Sequence, residues 1–528
     1  MSPVGQLEFI LCLLLAIVGL ELAARWLRLP PAAAFILGGI VLALTPGVPE
    51  IVLDPDLVIV LFLPPLLMSG AYFTVWREFR DNLFGILLLA IGAVGFTTLL
   101  VGLAAHWVMP GLPWAVCFAL GAIVSPPDAV AAGAVLERLS LPRRLTALLQ
   151  GESLLNDAAG LVLFRFAVAA ALTGTFSIGE AALQFGTLTI VGVLLGGVVG
   201  FAGVQVLRRL RDSHLAITLT LLMPWAAYIG AERLHASGVL ATVTTGLVLG
   251  WHQHTTLTAG TRIRATAFWA VMVFLLESLV FILIGLSLRG VLARLGGAVD
   301  ALETLLLPIG AVIASVVLSR FAWIFGSDVL RRSVRGLLPH RGPRPSFAVA
   351  TVMSWAGMRG VVSLAAALSL PEALPGRDFV LAATFAVILV TVLVQGSTLG
   401  PLIRLLRLHR GDEITPGQIN EDVAWSRMAH AQLAAVAAAS RQPDGSERHP
   451  RLLEQYGYQA RISIQYAANK EAHRPLEVEH FTVVLQAIEA GRAEVLHMHR
   501  AGEIHDRVLT ELERELDLQQ MIAELSRG

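Results

Sequence analysis

The chain has 528 residues, of which 55% are hydrophobic and only 15% charged, against about 25% charged in an average soluble domain. Its 39 basic residues balance its 39 acidic ones, so no basic surplus marks a nucleic-acid surface. The two cysteines, Cys12 and Cys117, lie in apolar runs that suit inert packing and exclude a disulfide framework or a Cys-based zinc site.

This is the composition of a membrane protein. Apolar stretches near the length a bilayer demands, about 20 residues, run over 7–28, 32–46, 51–73, 83–108, 112–136, 145–173, 180–207, 214–231, 236–251, 266–289, 302–330, 346–370 and 378–408. They number thirteen, or twelve if the stretches either side of Gly230–Gly238 are one. Arginines alternate between the connecting loops. One side holds Arg25, Arg28, Arg77, Arg80, the Arg331 to Arg344 cluster and others, about 20 in all, and the other holds about 4, including Arg233 and Arg377. That alternation fits an odd number of spans, with the N-terminus outside and the tail in the cytoplasm. Residues 1–9 carry only Glu8 as a charged side chain, so the basic start of a cleaved leader is missing and the first segment reads as a retained helix.

From Gly411 onward the balance shifts to 12 basic against 19 acidic residues, and no stretch there is apolar enough to span. A loop signal at Gln442–Gly445 divides this tail. Pro475 then opens a segment to Met498 with apolar residues at helical spacing, and a further amphipathic helix runs from about Glu503 to Ser526.

Ionisable residues at bilayer depth are costly enough that each implies a role and a partner. Near span centres lie Asp128, Glu152, Asp157, Arg165, Glu277, Arg320 and Arg359. Asp54 and Asp56 sit at a span end beside Pro55 and read as a helix cap. Asp128 follows Ser125, Pro126 and Pro127, and two prolines in mid-span break the helix. Broken helices at membrane depth offer free carbonyls and half-helix dipoles to ions. In the next span Ser153, Asn156 and Asp157 fall at i, i+3 and i+4, three oxygen-bearing side chains on one face. Facing Asp128 and the carbonyl of Pro127, they form a candidate cage for a hard monovalent cation. Two buried carboxylates disfavour ionising together, so a proton and a cation compete for Asp157. Desolvation penalises crossing with the site charged and empty, and exchange becomes obligatory. Glu152 points about 100° from Ser153 and is assigned to Arg359, whose setting Gly357–Gly360 marks a second break. Glu277 and Arg320 are assigned to each other, as secondary buried charges. Two interrupted spans, one in each half, point to inverted repeats crossing at the midplane.

These landmarks, taken in order, resemble the bacterial sodium/proton antiporters of the NhaP-like and animal-exchanger-like monovalent cation/proton antiporter family. The resemblance rests on Phe62–Leu67 with its Pro64–Pro65 pair, Ser125–Asp128, Gly151–Asp157 and Gly357–Gly360, and covers residues 7–410 and, more loosely, the tail. It implies an all-α polytopic membrane protein of about 13 transmembrane helices with inverted repeats and two discontinuous crossing helices, followed by a cytosolic helical tail over 411–528. It implies a homodimer in the bacterial cytoplasmic (inner) membrane, with a scaffold (about 1–82 and 174–301) that holds still while a core (about 83–173 and 302–408) moves. Asp157 would carry sodium or a proton, with Asp128, Ser153 and the Pro127 carbonyl as ligands and Glu152–Arg359 as a structural pair. Asn156 before Asp157 is similar to the electroneutral branch, which exchanges one sodium per proton. The implied partners are sodium, protons, membrane lipid and a second copy, with no cofactor. Some relatives carry an acidic or amide residue where this chain has Met68, Ser69 and Gly70, which leaves the choice among sodium, lithium and potassium open.

Two other readings are weighed. A serine hydrolase built on Ser153 with His106, His214 or His235 leaves Asp128 unexplained, and the helical register of Ser153 with Asn156 and Asp157 accounts for it better. A cation channel, or a transporter of another solute, would use the same buried groups without proton coupling.

Overall fold

The structure, a computed structural model, describes residues 3–46, 54–128, 142–175, 177–294, 298–333, 346–408, 419, 421–442, 446–468 and 470–527. The chain divides into two units, Met1–Gly411 and Asp412–Gly528. Among the described residues all regular structure is helical, apart from one isolated bridge between Arg441 and Glu447.

The first unit contains α1 (Pro3–Leu27), α2 (Pro31–Leu44), α3 (Pro55–Tyr72), the short α4 (Trp76–Asp81), α5 (Leu83–Val108), α6 (Trp114–Val124), α7 (Arg143–Thr173), α8 (Ile178–Leu207), α9 (Ser213–Arg233), α10 (Gly238–Thr256), α11 (Ala259–Leu286), α12 (Leu288–Arg294), α13 (Ala298–Ser333), α14 (Phe347–Trp355), α15 (Val361–Leu368) and α16 (Arg377–Leu405). Among the described residues nine are long and apolar enough to cross a membrane: α1, α3, α5, α7, α8, α9, α11, α13 and α16. The other expected spans correspond to α2 and α6, which are short, to α10, which ends in the polar run His252–Thr256, and to the broken pair α14–α15. The segment expected to continue α6 to residue 136 lies mostly outside the described residues.

Local chemistry explains the boundaries. The Asp54 carboxylate caps α3 by accepting from the backbone N–H groups of Asp56 and Leu57 at 3.0 and 3.3 Å, as the sequence suggested. Between α9 and α10 the chain turns through His235 in the left-handed region, φ 52°, and Ser237 then caps the new helix, so the stretches around Gly230–Gly238 are two helices. Pro126 and Pro127 end α6, because neither has an N–H to extend the ladder. Two π-helical turns, Leu88–Ala93 inside α5 and Thr391–Gln395 inside α16, widen otherwise continuous helices. Cys117 is buried as expected, whereas Cys12 is exposed on α1.

Helices α5, α6, α7 and α13 pack together, while α8 and α10 form a second group continuous with α3. In the tail unit, α17 (Glu421–Ser440) packs on α18 (Pro450–Ala468) and α19 (Lys470–Arg500) on α20 (Asp506–Arg527). Arg492 joins the latter two by donating to Asp517 at 2.7 Å and Gln520 at 2.9 Å. Helix α19 begins at Lys470, five residues before the proline expected to open it.

Helices α2 and α11 approach each other closely. A Cβ on Gly39 would stand 2.3 Å from the Ile282 carbonyl oxygen, and one on Gly285 2.3 Å from that of Ile36. Small residues let membrane helices meet backbone to backbone in this way. Gly39→Leu is expected to destabilise the protein by more than about 2 kcal/mol, read as a lower unfolding midpoint in detergent. Gly19→Leu, which meets nothing within 4 Å, should leave the midpoint unchanged.

Candidate functional site

The two interruptions meet. The backbone N–H of Asp128, just past α6, donates to the carbonyl of Met358 at 2.7 Å, in the gap between α14 and α15. Each break leaves helix ends with unpaired backbone groups and partial charge. At the carbonyl end of α6 lies Arg359, 1% exposed, whose guanidinium donates to the carbonyls of Val124 at 2.8 Å, Ser125 at 3.4 Å and Gly357. At the amino end of α15 lies the Asp128 carboxylate, packed so closely on Gly360 that a Cβ there would overlap its Oδ2. A cation thus answers the negative helix end and an anion the positive one. The Arg359 backbone N–H is held by the Thr391 hydroxyl at 3.1 Å, from the π-turn of α16, and the Ser363 hydroxyl donates to Ile123 at 2.7 Å. Neither residue stood out in the sequence, since an isolated hydroxyl in an apolar span carries no pattern.

Helix α7 runs past this crossing. Asn156, fully buried, donates from Nδ2 to the Pro127 carbonyl at 2.5 Å, while its Oδ1 is buried with no hydrogen-bond partner among the described residues. Gly160, one turn on, lets α7 approach the ring of Pro126, where a Cβ would stand 2.3 Å from Cγ. Asp157 is 9% exposed, makes no hydrogen bond or ion pair among the described residues, and lies within electrostatic reach of Asp128. Ser153 is half-buried one turn before it. The structure therefore brings Asp157, Asp128, Asn156 and Pro127 together, with Asn156 committed to the broken segment.

The ion pairs differ from those expected. Glu152, 1% exposed, is not paired with Arg359 but with Arg320, which donates from its two terminal nitrogens at 2.6 and 2.8 Å and from Nε to the Met353 carbonyl at 2.9 Å. Arg359 is drawn instead to the carbonyls at the helix ends, and Arg320 offers Glu152 the two-pronged geometry a carboxylate fits best. Arg320 accordingly closes on Glu152 rather than Glu277, which is half-buried on α11. Arg165 forms a largely exposed pair with Glu232 at 3.2 Å, joining α7 to α9. Among the described residues no cluster of three His, Cys, Asp or Glu could hold a resident metal.

Comparison with known proteins identifies the family and the fold. Residues 10–405 match the family model described as the transmembrane sodium/hydrogen exchanger. A protein of Mycobacterium tuberculosis named an uncharacterized Na+/H+ exchanger is 33% identical over 519 residues, covering 96% of this chain and 94% of its own. The Na+/H+ antiporter of Aphanothece halophytica is 34% identical over 394 residues, covering 74% of this chain and 72% of its own. The fold is similar to that of the sodium proton antiporter MjNhaP1 from Methanocaldococcus jannaschii, with a TM-score of 0.59 and 21% identity over 76% of this chain and 99% of that one.

Arg320→Ala should destabilise the protein by about 3–5 kcal/mol, because it leaves the Glu152 carboxylate buried and unpaired. The double variant Glu152→Gln with Arg320→Met should recover most of that loss in thermal unfolding of the purified protein. Equal instability of the single and double variants would remove the pair from the structural core.

Proposed function

The chain belongs to the sodium/hydrogen exchanger family and exchanges sodium for protons across a membrane; from that premise we propose that it does so by alternating access through Asp157, moving one sodium per proton. The observation that carries this reading is the contrast between Asp157 and its neighbours. Arg359 and Glu152 are each held by close hydrogen bonds or an ion pair, and Asp128 lies over a helix end. Asp157 alone of these four makes no hydrogen bond or ion pair among the described residues. A nearly buried carboxylate in that condition needs a cation or a proton to balance it.

Sodium is the substrate, taken by oxygen ligands: the Asp157 carboxylate, with Asp128, the Ser153 hydroxyl, Asn156 and the Pro127 carbonyl in reach. A proton neutralises the same carboxylate. Either loaded form crosses the low-dielectric centre, whereas the empty anion is held back by its desolvation cost. Arg359, bonded to the helix-end carbonyls, and the Glu152–Arg320 pair keep the broken segments in register. Asn156, a neutral residue next to the carrier, supports electroneutral exchange.

The same reading supplies the architecture. Thirteen spans place the N-terminus outside and the tail in the bacterial cytoplasm, in accord with the arginine distribution. A core over about 83–173 and 302–408 moves against a scaffold over about 1–82 and 174–301, in a homodimer.

In proteoliposomes with an imposed pH gradient and an internal pH dye, sodium should drive proton movement that a clamped membrane voltage does not alter. Asp157→Asn should abolish it in folded protein, and Asp128→Asn should raise the half-saturating sodium concentration several-fold. Competition for one carboxylate predicts that this concentration rises as pH falls, by up to about tenfold per pH unit. Sodium conductance without proton movement would replace the exchange mechanism with a channel.

A further inference from the structure

A cavity of about 590 Å3 opens on the side of α7 that bears Leu155, Ala158 and Ala159. Its volume lies within the range of about 300–1,000 Å3 typical of small-molecule sites. Its remaining wall comes from α4 and α5, including Leu87 and Ile91, and from α8 and α10, including Val193 and Leu247. Three of these helices, α5, α7 and α8, are long and apolar enough to cross a membrane. At that depth the medium is hydrocarbon, and the wall offers an occupant apolar contact with few polar groups.

One end of the cavity has a different chemistry. Trp76, Trp251 and His252 line it, and the two indoles meet edge to face at 6.2 Å. Trp and Tyr favour the boundary between hydrocarbon and headgroups. On α4, Trp76 and Phe79 line the cavity, and Arg80, one turn from Trp76, flanks that face at the cavity's edge. Arg80 is exposed and makes no ion pair among the described residues. His252 bonds the Val248 carbonyl through Nδ1 at 2.8 Å. An apolar chamber among membrane helices, lined at one end by indoles and neighboured there by an exposed guanidinium on α4, matches an amphiphile with an acyl tail and an anionic head.

We propose that this cavity seats an acyl chain of an anionic phospholipid, with the headgroup at the Trp76–Trp251 end against Arg80. The site belongs to this chain's own helices and involves neither Asp157 nor Asp128. Its occupant touches α7 on both sides of Asp157 in sequence, at Leu155 and Ala158, and lies where α7 faces α8 and α10. Lipid content of the membrane therefore bears on how readily these helices slide past one another. That consequence rests on the exchange reading, whereas the lipid site itself does not.

The test uses the full-length protein, purified in mild detergent, titrated with phosphatidylglycerol or phosphatidylcholine and weighed by native mass spectrometry. The wild type should retain a single phosphatidylglycerol in preference to phosphatidylcholine. Thr189→Trp with Val193→Trp, which fills the chamber from α8, should lose the retained lipid. Arg80→Gln, a surface change that leaves packing intact, should lower the preference for the anionic lipid by about fivefold while a tail-bound lipid persists. Retention unchanged by both substitutions, or no preference in the wild type, would overturn the site. Because the readout is mass and not transport, a failure here is distinct from a failure of exchange.

Discussion

The fold turns on a crossing of two interrupted helices, and on the rule that a helix end buried away from water must find partners for its free backbone groups. Two prolines stop α6 and the Ala356–Gly360 segment separates α14 from α15, so the breaks leave backbone groups unpaired where no water can satisfy them. Each break solves the other's problem. The Asp128 amide reaches Met358, Arg359 gathers the carbonyls of Val124 and Ser125, and Asp128 lies over the amino end of α15. Removing any one of these would orphan a group worth more, unpaired, than it contributes when paired.

Around the crossing, the buried charges fall into two kinds. Glu152 and Arg320 are joined by two short bonds and are both nearly inaccessible. Such a pair adds little net stability over apolar packing, but it is costly to break, and it fixes α7 against α13. Arg359 is similarly committed, to carbonyl dipoles in place of a carboxylate. These groups are held in place by their partners. Against them stands Asp157, which makes no hydrogen bond or ion pair among the described residues and is the carboxylate we propose as the carrier.

Small residues let the helices come this close. Gly160 admits Pro126, Gly360 admits the Asp128 carboxylate, and Gly39 with Gly285 brings α2 onto α11. Where larger side chains line the gap between α7 and the α8–α10 pair, the helices stand apart and leave a chamber. Tight and loose contact thus lie on different sides of α7: a rigid seam toward the broken helices, and an apolar space on the other.

Much of this was legible in the chain. Hydropathy marked the membrane helices, and the prolines and glycines marked both breaks, because these depend on residue type and local spacing alone. Asp54 as a cap and Asn156–Asp157 beside the first break followed from the same local rules. The partners did not follow. Charge complementarity allows Glu152 to choose between two arginines. Only the packed structure decides that Arg320 lies opposite it, while Arg359 is taken up by carbonyls that become available once the helices break. Thr391 and Ser363 were invisible for the same reason, as each acts on a backbone group distant in sequence. Residue type and spacing singled out the charges set among apolar helices, of which Glu152, Arg320 and Arg359 are buried while Arg165 is exposed. The tertiary structure alone decided which partner each received, because that depends on distances between helices that no local pattern encodes.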